Sequence, residues 1–117
     1  GGFLSAGFAS EVLDFQAIKQ GPPPIFNLPR NAPAIVVWGF MYGLQEGDEL
    51  TLFIARPDGT TLLENRVKFD RNQAQAYRLT GKRRGNGFWK SGIYGATLTL
   101  RRGNAVISSR NIQLQID

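Results

Sequence analysis

Hydrophobic and polar positions alternate most cleanly over residues 93–100. Tyr94, Ala96, Leu98 and Leu100 share one parity, and Thr97 and Thr99 share the other. That is the period of a strand with one buried face. Trp89-Lys90-Ser91-Gly92 leads into this run, and Arg101-Arg102-Gly103-Asn104 interrupts it before the pattern resumes over Ala105–Ile116. Two β-rich runs joined at a Gly-Asn turn predict a C-terminal hairpin. Upstream, Leu50, Leu52 and Ile54 alternate with Thr51, Phe53 and Ala55, and Leu63, Asn65 and Val67 share a parity. These runs predict strands over 49–56 and 61–69, joined by the turn Pro57-Asp58-Gly59-Thr60. A further strand is expected over 74–79 around Tyr77.

The most apolar run, residues 34–42, holds Ile35, Val36, Val37, Trp38, Phe40 and Met41 in near continuity. A run of this length fits a central sandwich strand, though periodicity alone does not separate it from a buried helix. The first third of the chain is less regular. Phe3 and Phe8 flank small residues and read as a short tail packed by its aromatics. Residues 12–18 read either as a first edge strand or as a short helical turn. Gly21-Pro22-Pro23-Pro24 ends that segment, because proline cannot donate to a β-ladder. Residues 24–33 then read as an extended connector, with Ile25, Phe26 and Leu28 against the body. Asp70-Arg71-Asn72 is a break, with room for a cap on one helical turn. Residues 80–88 read as a charged, glycine-rich loop. Together the pattern predicts an all-β fold, an immunoglobulin-like antiparallel β-sandwich of about seven strands, with a small barrel as the other candidate. One domain is expected: residues 1–33 as an N-terminal extension with the first edge strand and the proline-rich connector, and residues 34–117 as the sandwich body.

Composition narrows the chemistry. A chain of 117 residues can bury one core without metal or disulfide staples. It contains neither cysteine nor histidine. Disulfides, thiolate zinc sites, cysteine nucleophiles and a Ser-His-Asp triad are therefore excluded within it. No apolar run approaches the roughly 20 residues of a membrane-spanning helix. The Gly-Gly start in place of Met reads either as a cloning scar or as a cut from a longer protein. A formal net charge of +5 implies attraction to polyanions such as nucleic acid, anionic lipid or acidic envelope polymers. Arg56, Arg66, Lys68, Arg71 and Arg78 are scattered along the strands in the manner of a solvated face.

Several motifs bear on function. There is no phosphate-binding loop: Gly85-Asn86-Gly87 is followed by Lys90 where GxGxxG requires glycine. Glu46, Asp48, Glu49, Asp58 and Asp70 lie in turns, where carboxylates ordinarily bond the local backbone. An acid/base pair or a cation site needs several such oxygens to converge. The candidate binding surface is Lys82, Arg83, Arg84, Trp89 and Lys90, with Phe88 among them. Cations beside aromatics can hold nucleic acid or acidic polysaccharide. The competing reading has the cations in solvent and Trp89 plugging the sandwich end, as tryptophan is mostly buried. Tyr94 is placed to pin the preceding loop by a tyrosine-corner hydrogen bond. Thr51, Phe53, Thr97 and Thr99 form a candidate patch for a neighbouring domain.

A wider set of short motifs carries a family resemblance. These are Ala6-Gly7-Phe8, Ile18 with Gly21, Ala32-Pro33-Ala34-Ile35-Val36-Val37-Trp38, Gly47-Asp48 with Leu50 and Leu52, Pro57-Asp58-Gly59, Asp70-Arg71-Asn72-Gln73-Ala74, and Trp89-x-x-Gly92-x-Tyr94. Over most of its length the chain resembles the immunoglobulin-like accessory domain of proteobacterial M23 (lysostaphin-type) zinc metallopeptidases. The zinc ligands of that family are His and Asp of the catalytic module, so no catalytic or metal-binding residue carries over to this histidine-free chain. The resemblance implies a non-catalytic role in a cell-envelope protein, with no cofactor of its own, and a periplasmic or secreted location. The implied partners are a neighbouring domain of the same chain, another envelope protein, or peptidoglycan. The reading from another class is a small basic β-barrel that binds single-stranded nucleic acid through the same residues. An enzyme working with carboxylates alone is the third.

Overall fold

The computed structural model describes residues 1–117 and is an all-β protein, with 60% of residues in strands and 4% in helix. Eight strands form two separate sheets rather than one closed barrel. Strands β1 (Gly2–Ala9), β3 (Ala34–Leu44) and β6 (Gln73–Arg83) form a three-stranded antiparallel sheet with β3 central. The second sheet runs β2 (Asn27–Leu28), β8 (Ala105–Ile116), β7 (Gly92–Arg102), β4 (Glu49–Ala55), β5 (Thr61–Lys68). All its pairings are antiparallel except the short β2, which runs parallel to β8.

The two sheets face each other across the main core. From the larger sheet come Leu50, Leu52, Ile54, Tyr94, Ala96, Leu98, Leu100, Leu114 and Ile116, all buried. Phe3, Phe8, Ile35, Val37 and Met41 meet them from the smaller sheet. The alternation in β4 and β7 is thus a true inside–outside pattern, and Leu63 and Val67 of β5 pack against the same core. The β7–β8 hairpin closes through Gly103-Asn104, with Arg102 opposite Ala105. Gly103 takes φ +62 at the first central position, where a II′ hairpin turn favours glycine.

The run in β3 is apolar on both sides because both sides are covered. Val36, Trp38 and Phe40 point away from the main core and join Ala9 and Ile18 in a second, smaller cluster. Its cover is α1 (Phe15–Lys19), capped by Asp14, whose carboxylate accepts from the Ala17 N–H at 2.8 Å. Phe15 stacks on Tyr77 at 5.2 Å and meets Phe40 edge-on at 6.0 Å. Of the two alternatives for residues 12–18, the helical turn is the one that forms.

Four expectations are corrected. The segment from Phe3 to Phe8 is a paired edge strand, not a tail. A register shift between Phe3 and Ser5 puts Phe3, Ala6 and Phe8 on one side, so the bulge hides the strand's period. The segment after Leu79 is not yet loop: β6 continues to Arg83, carrying Lys82 and Arg83 opposite Ile35 and Ala34. Gly81 is a strand residue paired with Val36, and glycine suits the position because a Cβ on it would lie 2.8 Å from Val36 Cγ2. Phe26 does not lie against the body; it is 66% exposed, while its carbonyl accepts from the Gln115 N–H. No helical turn forms at 70–72; the Asn72 side chain accepts from the Glu46 N–H at 2.8 Å.

Candidate functional site

One end of the sandwich carries the aromatic and cationic residues. It is built where residues 84–91, between β6 and β7, are tied to residues 29–33, which lead into β3. The Arg84 N–H donates to the Pro33 carbonyl at 2.9 Å, and the Trp89 N–H donates to the Arg30 carbonyl at 2.9 Å. Arg30 Nε returns a bond to the Trp89 carbonyl at 3.3 Å. The Trp89 indole turns inward, 8% exposed, and its Nε1–H donates to the Ala32 carbonyl at 2.9 Å. Trp89 is therefore a plug in the sandwich end, and the expectation that it lies on the binding surface is corrected. Its neighbour Phe88 turns outward and is 66% exposed. The guanidinium carbon of Arg30 lies 5.5 Å from the Phe88 ring centroid and that of Arg84 lies 6.0 Å from it, both within cation–π range. Arg84 Nη1 is held by the Gly87 carbonyl.

Of the five candidate residues, Lys82, Arg83 and Lys90 are exposed and Arg84 is half-buried, while Trp89 is buried. Arg30 belongs to the surface but was not among the candidates. It lies 59 residues before Trp89, joined to it only by hydrogen bonds across the fold. No periodicity or short motif marks such a contact.

Tyr94 stands behind this end. Its hydroxyl donates to the Lys90 carbonyl at 2.8 Å, four residues upstream, and so fixes the segment that carries Trp89. Burial of the ring pushes the Tyr94 phenol above its ordinary range. Tyr94→Phe is expected to lower stability by about 1 kcal/mol through loss of that bond. A raised folded pKa means the contribution is whole below about pH 10 and fades as pH rises through the folded value. Urea denaturation of both proteins at neutral pH and above pH 10 checks this, since the gap should narrow in alkali.

Two of the turn carboxylates, Asp48 and Asp58, are held within the fold. Asp48 is fully buried and held bidentately by Arg102, with Nε–Oδ1 at 2.9 Å and Nη2–Oδ2 at 3.0 Å. The Gln45 N–H adds a bond to Oδ2 at 2.9 Å. The Arg102 hydrogen bonds hold the Asp48 carboxyl below the usual range, against the opposing effect of burial. Asp58 accepts from both the hydroxyl and the N–H of Thr60, which lowers its carboxyl as well. No three His, Cys, Asp or Glu side chains gather as a metal-binding group, and no helix is long and apolar enough to cross a membrane. Thr51, Phe53, Thr97 and Thr99 are half-buried on the outer face of the larger sheet. No protein-family model matches the chain, and no curated protein matches it in sequence.

Proposed function

We propose that this chain is a non-catalytic, immunoglobulin-like interaction module of a larger bacterial cell-envelope protein, and that it contacts the wall through its cationic, aromatic end. The observation that carries this reading is Phe88, exposed and with the guanidinium groups of Arg30 and Arg84 both within cation–π range of its ring. An aromatic face offers apolar contact to the C–H face of a sugar. Guanidinium forks beside it suit carboxylates, and peptidoglycan combines both groups. Lys82, Arg83 and Lys90 add exposed positive charge to a chain of net charge +5.

The immunoglobulin-like assignment is supported by strand order. β3 pairs with β6 in one sheet, while β8, β7, β4 and β5 follow one another in the other. Immunoglobulin domains pair their strands B with E, and G, F, C and C′, in the same way. The Tyr94–Lys90 bond stands where a tyrosine corner would. The resemblance to the accessory domain of M23 peptidases makes such a peptidase the parent we favour, with periplasmic or secreted location.

Co-sedimentation with purified peptidoglycan sacculi tests the reading. The wild type should pellet at near-physiological salt, where charges more than about 8 Å apart are screened. Phe88→Ala, and Lys82/Arg83/Arg84→Ala together, should each weaken pelleting on the order of fivefold, the worth of about 1 kcal/mol of cation–π and ion-pair contact. Pelleting only at low salt, matched by equal retention on single-stranded DNA, would instead identify a nonspecific polyanion binder.

A further inference from the structure

The two sheets end in four edge strands, β1 and β6 on the smaller and β2 and β5 on the larger. An open edge presents unpaired N–H and C=O groups to any strand that can join it, and native proteins blunt most edges with charge, a bulge or shortness. β2 is two residues long, and β1 is bulged between Phe3 and Ser5. The charged side chains of β6, Arg78, Lys82 and Arg83, are all cations. β5 differs, because it sets an acid, Glu64, beside the cations Arg66 and Lys68.

The Phe69 N–H donates to the Asp48 carbonyl at 2.9 Å, which fixes the phase of the β4–β5 ladder. Hydrogen-bonded and non-hydrogen-bonded pairs alternate along an antiparallel ladder. The register runs unbroken from Glu49–Lys68 to Ile54–Leu63. Leu63, Asn65 and Val67 therefore direct their backbone groups to β4, and Glu64, Arg66 and Lys68 direct theirs out of the sheet. No turn or loop backbone group bonds these outward groups. The side chains of Glu64 and Arg66 are exposed on the outer face, 3.3 Å apart. Leu63 and Val67 pack on the main core from the other face and stay half-buried.

This strand is complementary to an antiparallel copy of itself. A twofold axis at Asn65 sets Glu64 opposite the partner's Arg66 and Arg66 opposite the partner's Glu64, both as hydrogen-bonded pairs. On the core side, Leu63 and Val67 then face the partner's Val67 and the partner's Leu63. Opposite charges and apolar side chains directly across a ladder stabilise it, and like charges oppose it. Neighbouring axes lack this match. Centring on Glu64 or on Arg66 sets like charges against each other, and centring on Val67 sets Arg66 against Lys68. Centring on Leu63 leaves Glu64 and Arg66 with no opposite charge.

We propose that this chain forms a homodimer through β5, two copies joining antiparallel about Asn65 so that their larger sheets become one. The contact is isologous, as a twofold axis requires. It covers one strand edge and little side-chain surface, which places it among weak, transient interfaces. It goes beyond wall binding and does not depend on what the Phe88 end contacts.

Sedimentation equilibrium across a range of protein concentrations tests this. The wild type should show a monomer–dimer equilibrium. Glu64→Arg sets guanidinium groups against each other on both sides of the axis, and Arg66→Glu does the same with carboxylates. Each should weaken the dimer on the order of tenfold. Both positions are exposed, so the variants stay folded. An equimolar mixture of the two variants should regain wild-type association, because one strand then supplies both cations and the other both carboxylates. No effect within a single chain produces that rescue. Hydrogen exchange gives an independent reading: the amides of Glu64 and Arg66 should slow as concentration rises. Those of Tyr77 and Leu79, which point outward from β6 by the phase of the Arg84–Pro33 bond, should not change. A wild type that stays monomeric overturns the proposal. So does association that both single variants retain or that their mixture fails to regain, since the contact would then lie on another edge or in another register. Slowing at Tyr77 and Leu79 in place of Glu64 and Arg66 would assign the contact to β6 and overturn it equally.

Discussion

Trp89→Ala is expected to cost about 3–5 kcal/mol of folding stability, the usual penalty for emptying a large aromatic site in a core. For a domain of this length that is a fall in Tm of roughly 10–20 °C. The side chain is 92% removed from solvent, its indole N–H is bonded to Ala32, and its backbone amide and carbonyl are both bonded to Arg30. Truncation therefore opens a void and strands the Ala32 carbonyl, which β3 follows directly. Trp89→Phe keeps most of the apolar contact and loses the hydrogen bond, so about 1–2 kcal/mol is expected. Phe88→Ala, one residue away, should change stability by no more than about 0.5 kcal/mol, since the ring is mostly in solvent. Thermal denaturation of the three variants checks the order. A Phe88 variant as unstable as the Trp89 variant would show that both rings are structural, and would remove the ground for treating Phe88 as a contact residue.

That contrast shows where sequence reading stops. Phe88 and Trp89 are adjacent, and nothing in their local pattern says which one turns inward. The answer lies in Ala32 and Arg30, residues that reach Trp89 only because β3 and β7 begin at the same side of the sandwich. By comparison, β4 and β7 were legible because each has one dry face and one wet one, and alternation reports that directly. β3 was legible as buried but not in its facing, since α1 covers the side that the opposite sheet does not. β1 was illegible for a specific reason: its bulge sets an odd and two even positions on the same face. The length of β6 is hidden at Gly81, where glycine serves close approach to Val36 rather than a turn. In each case the missing information is tertiary, a partner that local composition does not name.

The strongest pH dependence should come from Asp48, which ties three parts of the chain together. Its carboxylate receives Arg102 from the end of β7 and the Gln45 N–H from the β3–β4 turn. Its carbonyl accepts from the Phe69 N–H at 2.9 Å, just past β5. Asp48→Asn keeps the backbone bonds but sets an amide against a guanidinium that requires acceptors. Removing one partner of a well-buried pair costs about 3–5 kcal/mol. Arg102 is one-third exposed and can regain water, so about 2–3 kcal/mol is expected at neutral pH. The sign of the pH effect follows from the lowered folded pKa of Asp48. A carboxyl held below its unfolded value of about 3.9 stabilises the fold above that pH, and the contribution is lost as pH falls through the folded pKa. Wild type and Asp48→Asn should therefore differ by a constant amount from about pH 5 to pH 8 and converge below about pH 4. Urea denaturation of both proteins across that range is the measurement. Curves that stay parallel into acid would show that the loss comes from packing around the side chain and not from its charge.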